Sequence, residues 1–161
     1  MGMCGMLKVL SESELEQVVK TRNGVEDVLF PDDVANPFEG QFDLDKCWHE
    51  LHFLLTGKLE PDGTILGDAV LGGEEVGTEL GYGRARLVRS DRAKEIFNSL
   101  KDNEFRDLLK AINRAAPEIE EVYAGSGLRG DASYLERPFR VLLDAYRTAS
   151  FRDAALLSYL T

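Results

Sequence analysis

Three side chains that could bind a metal ion or transfer a proton lie close together in residues 42–57, FDLDKCWHELHFLLTG. Asp45, His49 and His52 are spaced i, i+4 and i+7, which places them on one side of an α-helix. Two imidazoles and a carboxylate begin a divalent metal site, but the chain holds only these two histidines. We therefore predict no metal and no other cofactor. Instead, we expect Asp45 to cap the helix or bond His49, and His52 to be half-buried and hydrogen-bonded to Thr56 or a neighbouring loop.

The sequence shows no complete set of residues for nucleophilic catalysis. Thr56 follows His52 by one helical turn, but we expect its hydroxyl to bond the carbonyl one turn back. Cys47 lies on the opposite side of the helix from His52, so the two cannot form a dyad within it. Ser126 stands between two glycines without the strand-to-helix context of a nucleophile elbow. We therefore predict no catalytic residue.

The balance of charges argues against nucleic acid as a partner. The 19 Lys and Arg residues face 29 Asp and Glu residues, and the net charge of −10 repels phosphate backbones. The densest basic stretch, residues 84–92, also contains an acidic residue. We interpret it as a solvent-exposed edge and not as a nucleic-acid-binding surface. No apolar run is long enough to span a bilayer, and the first residues lack the pattern of a signal peptide. We expect a cytoplasmic protein with no nucleic-acid or membrane partner.

Apolar spacing and capping residues predict the elements that hold these side chains. Residues 5–10 are predicted as a strand, and Ser11 with Glu14 matches the capping box of a short helix that ends near Asn23. A loop is expected over residues 27–40 because it is rich in Pro, Asp and Asn. The principal helix should then run from about Asp43 to Thr56.

The second half of the chain shows the same kinds of signal. Residues 85–88 are predicted as a strand, and Ser90 as the N-cap of the next helix. Further helices are expected after Asp102 and over residues 134–147, with a flexible loop between them at residues 125–131 and a core strand over residues 154–160. We predict an α+β fold in a single compact domain, residues 1–161, with about five helices covering a small sheet of three or more strands.

Residues 58–82 are glycine-rich and form the least regular part of the sequence. Glycine permits positive φ and close backbone approach, which suits a ligand-facing loop and also suits a mobile linker. Neither Gly72-Gly73 nor Gly81-Tyr82-Gly83 is followed by the Lys-Ser/Thr of a phosphate loop. Of the two alternatives, we favour the ordered loop.

Four short motifs follow one another in an order that resembles a known family. They are MGM-x-G at the start, LDK-x-W-x-x-LH-x-LLTG at 44–57, AVLGG at 69–73 and GYG-x-AR at 81–86. These motifs resemble the YfbM-like family of small bacterial proteins, whose function is unassigned. The resemblance implies a cytosolic single-domain α+β protein. His49 lies outside the family's pattern, and Arg84 stands where the family usually has Pro. The residues of this chain that match the pattern are Trp48, His52, Thr56, Gly57, Gly73, Tyr82 and Arg86.

Two classes of function are compatible with these observations. We predict a non-catalytic binding or protein-interaction domain. Its narrower version is an immunity- or antitoxin-like protein that masks a basic protein partner. The alternative is a small-ligand-binding protein or enzyme, with His52 as acid, base or donor and Arg86 as anion clamp. In that case His52, Tyr82 and Arg86 should line one concave pocket. The candidate ligand-binding residues are Trp48, His52, Thr56, Tyr82 and Arg86.

Overall fold

The computed structural model describes residues 2–32, 35, 36 and 38–161. Within these ranges five strands form one antiparallel sheet in the spatial order β2-β1-β5-β4-β3. The last strand of the chain therefore lies at the centre of the sheet, between β1 and β4. The strands are β1 (Gly5–Val9), β2 (Gln41–Asp45), β3 (Glu74–Glu79), β4 (Arg84–Val88) and β5 (Leu156–Leu160).

Helices cover both faces of the sheet. Successive side chains of a strand point to opposite faces, so in β5 Leu156 joins one buried cluster and Leu157 joins the other. The larger cluster packs beneath α3, α4 and α6, and the smaller one beneath α1 and α2. The predicted α+β class is confirmed. The helices in the described ranges are α1 (Glu12–Lys20), α2 (Gly24–Leu29), α3 (Trp48–Thr56), α4 (Ser90–Lys101), α5 (Phe105–Ala111) and α6 (Glu136–Phe151).

The start of α1 follows the predicted capping box. The Glu14 backbone N–H donates to Ser11 Oγ at 3.2 Å, and the Ser11 N–H donates to Glu14 Oε2 at 2.8 Å. The end of α1 differs from the prediction. The helix ends at Lys20, and Gly24 begins α2 instead of ending α1. The loop expected over residues 27–40 is thus helical at its start, and residues 33, 34 and 37 of it lie outside the described part of the chain.

The principal helix begins at Trp48 and not near Asp43, so this prediction was wrong at its N-terminal end. Leu44 and Asp45 belong to β2, where Asp45 pairs with Gly5 of β1 and has a φ of +54°. Pairing with β1 satisfies the backbone of this segment and buries Leu44. Asp45 therefore shares no helical face with the histidines.

The glycine-rich segment includes the edge strand β3, which was not predicted. β3 and β4 form a hairpin in which Glu75 lies opposite Arg86. The loop that precedes β3 is bonded to Arg92 of α4. Asp68 Oδ2 accepts two hydrogen bonds from the Arg92 guanidinium, at 2.7 and 2.8 Å, and the Gly63 carbonyl accepts one at 3.0 Å. This ion pair ties the loop to α4.

The region expected to be a flexible loop at residues 125–131 contains a short 3₁₀ helix, Gly125–Arg129. Two more, Pro117–Glu121 and Ala132–Leu135, flank it before α6. None of the helices in the described ranges combines the length and the apolar character needed to cross a membrane.

Candidate functional site

A pocket of about 220 Å³ opens between the first turn of α3, the loop that follows α3 and one end of the sheet. Trp48 and His49 line it from α3, and Arg84 and Arg86 line it from β4. Tyr82 reaches it from the tip of the β3–β4 hairpin and is half exposed. The remaining lining residues are Leu59, Glu60, Pro61, Leu71, Glu75, Gly83, Ser158, Tyr159 and Leu160.

The two arginines point into the pocket because of the alternation of β4. Ala85 and Leu87 are buried against α1 and α2, so Arg84 and Arg86 project from the opposite face. Arg86 Nη2 donates to Glu75 Oε1 across the hairpin at 3.0 Å. The Arg84 side chain is exposed and makes no ion pair or hydrogen bond within the described residues. The pocket therefore holds one paired and one unpaired guanidinium.

Stacked rings make up the α3 side of the pocket. The Trp48 indole stacks on the His49 imidazole, with centroids 4.9 Å apart, and on the Tyr123 ring, with centroids 5.6 Å apart. Trp48 is 6% exposed, and its Nε1–H donates to the Met3 carbonyl at 3.3 Å. A Cβ at Gly5 would lie 2.4 Å from Trp48 Cβ, so the strand beside the indole must carry glycine. This wall is rigid and largely apolar.

His49 joins two loops to α3 through its two ring nitrogens. The Tyr123 backbone N–H donates to Nδ1 at 2.9 Å, and Nε2 lies 3.0 Å from the Leu59 carbonyl oxygen. Because Nδ1 accepts, the proton belongs on Nε2, which donates to Leu59. Asp45, the partner expected from the sequence, makes no bond to His49. The imidazole thus positions the loop that lines the pocket.

His52 is fully buried and does not line the pocket. Neither of its ring nitrogens has a hydrogen bond of normal geometry within the described residues. Burial lowers the pKa of His52, and an interaction with the backbone of Glu60, in the loop after α3, opposes this change. The convergence of His52 with Tyr82 and Arg86 therefore does not occur.

Thr56 also lies away from the pocket, at the end of α3. Its hydroxyl donates to the His52 backbone carbonyl at 2.8 Å, as predicted for a threonine late in a helix. Of the five candidate residues, Trp48, Tyr82 and Arg86 come together and His52 and Thr56 do not. Sequence reasoning left Arg84 out of the candidates, although its period-two spacing with Arg86 was visible in RARLV.

A second cluster of titratable groups lies where the start of α3 meets the 3₁₀ helix Ala132–Leu135. Glu50 is buried and accepts a hydrogen bond from the Tyr134 hydroxyl. Burial raises the pKa of Glu50, and the hydrogen bonds from Tyr134 and Cys47 oppose this change. Burial, followed by the nearby Glu50, raises the pKa of the Cys47 thiol to about 11. A thiol with this pKa is not a nucleophile at neutral pH.

The arrangement of the acidic, histidine and cysteine side chains gives no evidence of a metal site in the described residues. Across residues 2–32, 35, 36 and 38–161, no three of them are grouped so that they could hold an ion. Both nitrogens of His49 are already engaged with backbone groups. The pocket offers guanidinium donors and an apolar wall to a bound molecule.

Comparison with known proteins identifies a family and a solved structure that this chain resembles. A protein-family model described as a domain of unknown function, DUF1877, matches residues 1–159. The crystal structure of YfbM from Escherichia coli, a protein of unknown function, matches with a TM-score of 0.67 at 18% sequence identity. The match covers 98% of this chain and 99% of that chain. No curated protein matches the chain. At 18% identity, the structural likeness shows the fold alone.

Proposed function

The chain belongs to the DUF1877 family, a family of unknown function, and from this premise we propose a non-catalytic binding protein that takes a small ligand into the pocket beside α3. The resemblance to YfbM predicted from four motifs is confirmed. One observation carries the proposal: Trp48 on α3 is distant in the sequence from Tyr82 and Arg86 on the β3–β4 hairpin, yet all three line the same pocket. Such convergence of aromatic and charged groups on a concavity is typical of ligand sites.

Binding without catalysis agrees with the state of the two histidines. His49 lines the pocket, but both of its nitrogens hold backbone groups and neither is free to move a proton. His52 is buried outside the pocket. A general base must reach the proton that it removes, and neither imidazole meets this requirement. The volume of about 220 Å³ lies below the roughly 300 Å³ at which pockets for drug-sized molecules begin, so the pocket suits a smaller molecule.

Two narrower predictions from the sequence stay predictions. One is a cytoplasmic location in a bacterium. The other is an immunity-like role, in which the net charge of −10 would attract a basic protein. Neither depends on the pocket, so both can be tested separately from ligand binding.

The proposal can be tested by an NMR screen of the ¹⁵N-labelled protein against single fragments of acidic, basic and neutral character. We expect hits to shift the signals of the Trp48 indole N–H and the Gly83 amide, because both residues line the pocket. Tyr82→Ala should weaken these hits. The control, Phe151→Ala, alters a 93% exposed ring outside the pocket and should leave them unchanged. Hits that ignore Tyr82→Ala, or a screen without pocket hits, would contradict the proposal.

A further inference from the structure

We propose that the ligand of this pocket is a small carboxylic acid with a single negative charge and an apolar body. This inference rests on the proposed function, since it names the chemical class that the same pocket would bind. It is carried by the distribution of charged and apolar groups around the walls.

The charged groups of the pocket are two guanidinium groups and two carboxylates. Arg86 is paired with Glu75, whereas Arg84 has no partner among the described residues. Glu60 also lines the pocket, so the formal charges of the lining cancel. Of the two guanidinium groups only Arg84 is unpaired, and a planar guanidinium suits the two oxygens of a carboxylate. The Glu60 carboxylate is also unpaired within the described residues, and it disfavours a ligand that carries more than one negative charge.

Arg86 can contribute donors even while it is paired. A guanidinium has five N–H groups, and the contact with Glu75 engages Nη2. Arg84 and Arg86 are two residues apart on one face of β4, so both can approach the same ligand head. The acid group of the ligand would therefore lie against β4.

A dianion fits this pocket less well than a monoanion. A phosphate group carries about −1.5 to −2 charges near neutral pH, and a single unpaired guanidinium would leave part of that charge uncompensated. The protein's net charge of −10 adds a repulsive field. The balance of charges thus favours a carboxylate over a phosphate.

Part of the pocket lining is apolar. Leu59 and Pro61 lie in the loop after α3, and Leu71 and Leu160 complete this part of the wall. Tyr82 stands on the hairpin tip between two glycines with positive φ, +97° at Gly81 and +104° at Gly83. These groups would cover an apolar ligand body and would gain little from a polar one such as a sugar.

Three matched probes test the charge requirement: phenylacetate, its neutral amide phenylacetamide, and benzylphosphonate at a pH where it is a dianion. We expect phenylacetate to bind about tenfold more tightly than the amide, as one charge-assisted hydrogen bond would give. Benzylphosphonate should bind more weakly than phenylacetate. Dissociation constants from NMR titration of the folded protein provide the comparison.

Variants locate the effect at Arg84. Arg84→Gln should weaken the binding of phenylacetate by about tenfold and leave the binding of phenylacetamide unchanged, because only the acid interacts with the positive charge of Arg84. Arg89→Gln is the matched control. Arg89 is an exposed arginine just past β4, outside the pocket, and is paired with Glu74. Arg89→Gln should change the dissociation constant of neither probe.

The outcomes separate this inference from the proposed function. Equal binding of acid and amide, tighter binding of the phosphonate, or an Arg84→Gln protein that binds phenylacetate normally would overturn the carboxylate assignment and leave the pocket a binding site. The same holds if none of the three probes binds while the fragment screen gives pocket hits. A fragment screen without pocket hits would instead overturn both.

Discussion

His49 and Tyr123, which are 74 positions apart, are joined by a hydrogen bond of 2.9 Å from the Tyr123 backbone N–H to His49 Nδ1. The other nitrogen of the same ring holds the carbonyl of Leu59. One imidazole therefore fixes two loops against α3, and the rings of both residues stack with Trp48. This side chain organises one wall of the pocket without being available for proton transfer.

The first prediction concerns His49 as a structural link. His49→Phe keeps an aromatic ring beside Trp48 but leaves the Tyr123 N–H and the Leu59 carbonyl without their partner. We expect the free energy of unfolding to fall by about 1–3 kcal/mol, the cost of leaving a partly buried polar group unpaired. Urea unfolding measures the change. An unchanged unfolding midpoint would show that these hydrogen bonds are replaced by water.

The second prediction concerns the pH dependence of stability that comes from His52. Burial lowers its pKa in the folded protein, so below about pH 6.5 the unfolded chain binds a proton that the folded chain resists. Stability is therefore lost as the pH falls through this range, by at most about 1.4 kcal/mol per pH unit.

His52→Phe should remove this contribution. The difference in unfolding free energy between wild type and variant should shift in favour of the variant as the pH falls from about 8 to about 5. His49→Phe serves as the control: it removes the smaller effect of the His49 charge but retains the burial of His52, the largest cause of the lowered pKa, and should keep most of the loss at low pH. Parallel profiles for wild type and His52→Phe would contradict the assignment.

The third prediction concerns the hydrogen bond between the buried Glu50 carboxyl and the hydroxyl of Tyr134, a residue that is 44% exposed. Tyr134→Phe removes the hydroxyl that donates to the Glu50 carboxyl, and a buried acceptor without its donor costs about 1–3 kcal/mol. Tyr82→Phe is the matched control, since the Tyr82 hydroxyl makes no hydrogen bond within the described residues, and we expect a change within about 0.5 kcal/mol. Equal effects of the two substitutions on the unfolding midpoint would rule out a structural role for the bond.

The fourth prediction concerns Trp48. The indole is buried in the larger cluster and stacks on the Tyr123 ring. Trp48→Ala should therefore lower the free energy of unfolding by about 3–5 kcal/mol, as aromatic truncations in cores do. Phe151→Ala, at a 93% exposed ring, should change the free energy of unfolding by no more than about 0.5 kcal/mol. Native Trp fluorescence should be blue-shifted, and an emission maximum typical of hydrated indole would argue against burial.

The fifth prediction concerns metal. Prolonged treatment with a chelator should leave the melting temperature unchanged, because the ring nitrogens of His49 hold backbone groups and His52 lies apart from any carboxylate cluster in the described residues. A bound structural metal would stabilise the fold by its binding free energy. A clear drop that a transition metal reverses would therefore refute the prediction.

Local sequence signals were sufficient for several elements. The capping box at Ser11, the strand that became β4 and the terminal strand β5 were all predicted, because a cap depends on neighbouring residues and a strand on its own alternation. β2 and β3 were missed. β2 precedes α3 so closely that Leu44 continues the helical spacing of Trp48 and Leu51, and pairing with β1 decides its conformation.

The edge strand β3, EEVGTE, carries glutamates and a glycine in place of an alternating apolar pattern. Its neighbour β4 supplies the hydrogen-bonding partners that make it a strand. Edge strands need less apolar character than central ones, since one side faces solvent. No window of the sequence alone contained that information.

The sequence by itself determined the family and the α+β class. Of the five candidate ligand-binding residues that it suggested, Trp48, Tyr82 and Arg86 line the pocket, and their binding role stays a prediction. Only the tertiary structure decided the roles of the two histidines, which lie three residues apart on one face of α3. His49 meets the Tyr123 N–H and the Leu59 carbonyl, whereas His52 is buried without such partners. Helical spacing is a property of neighbouring residues, but burial and hydrogen-bond partners come from segments distant in sequence, so no helical wheel could tell the two apart.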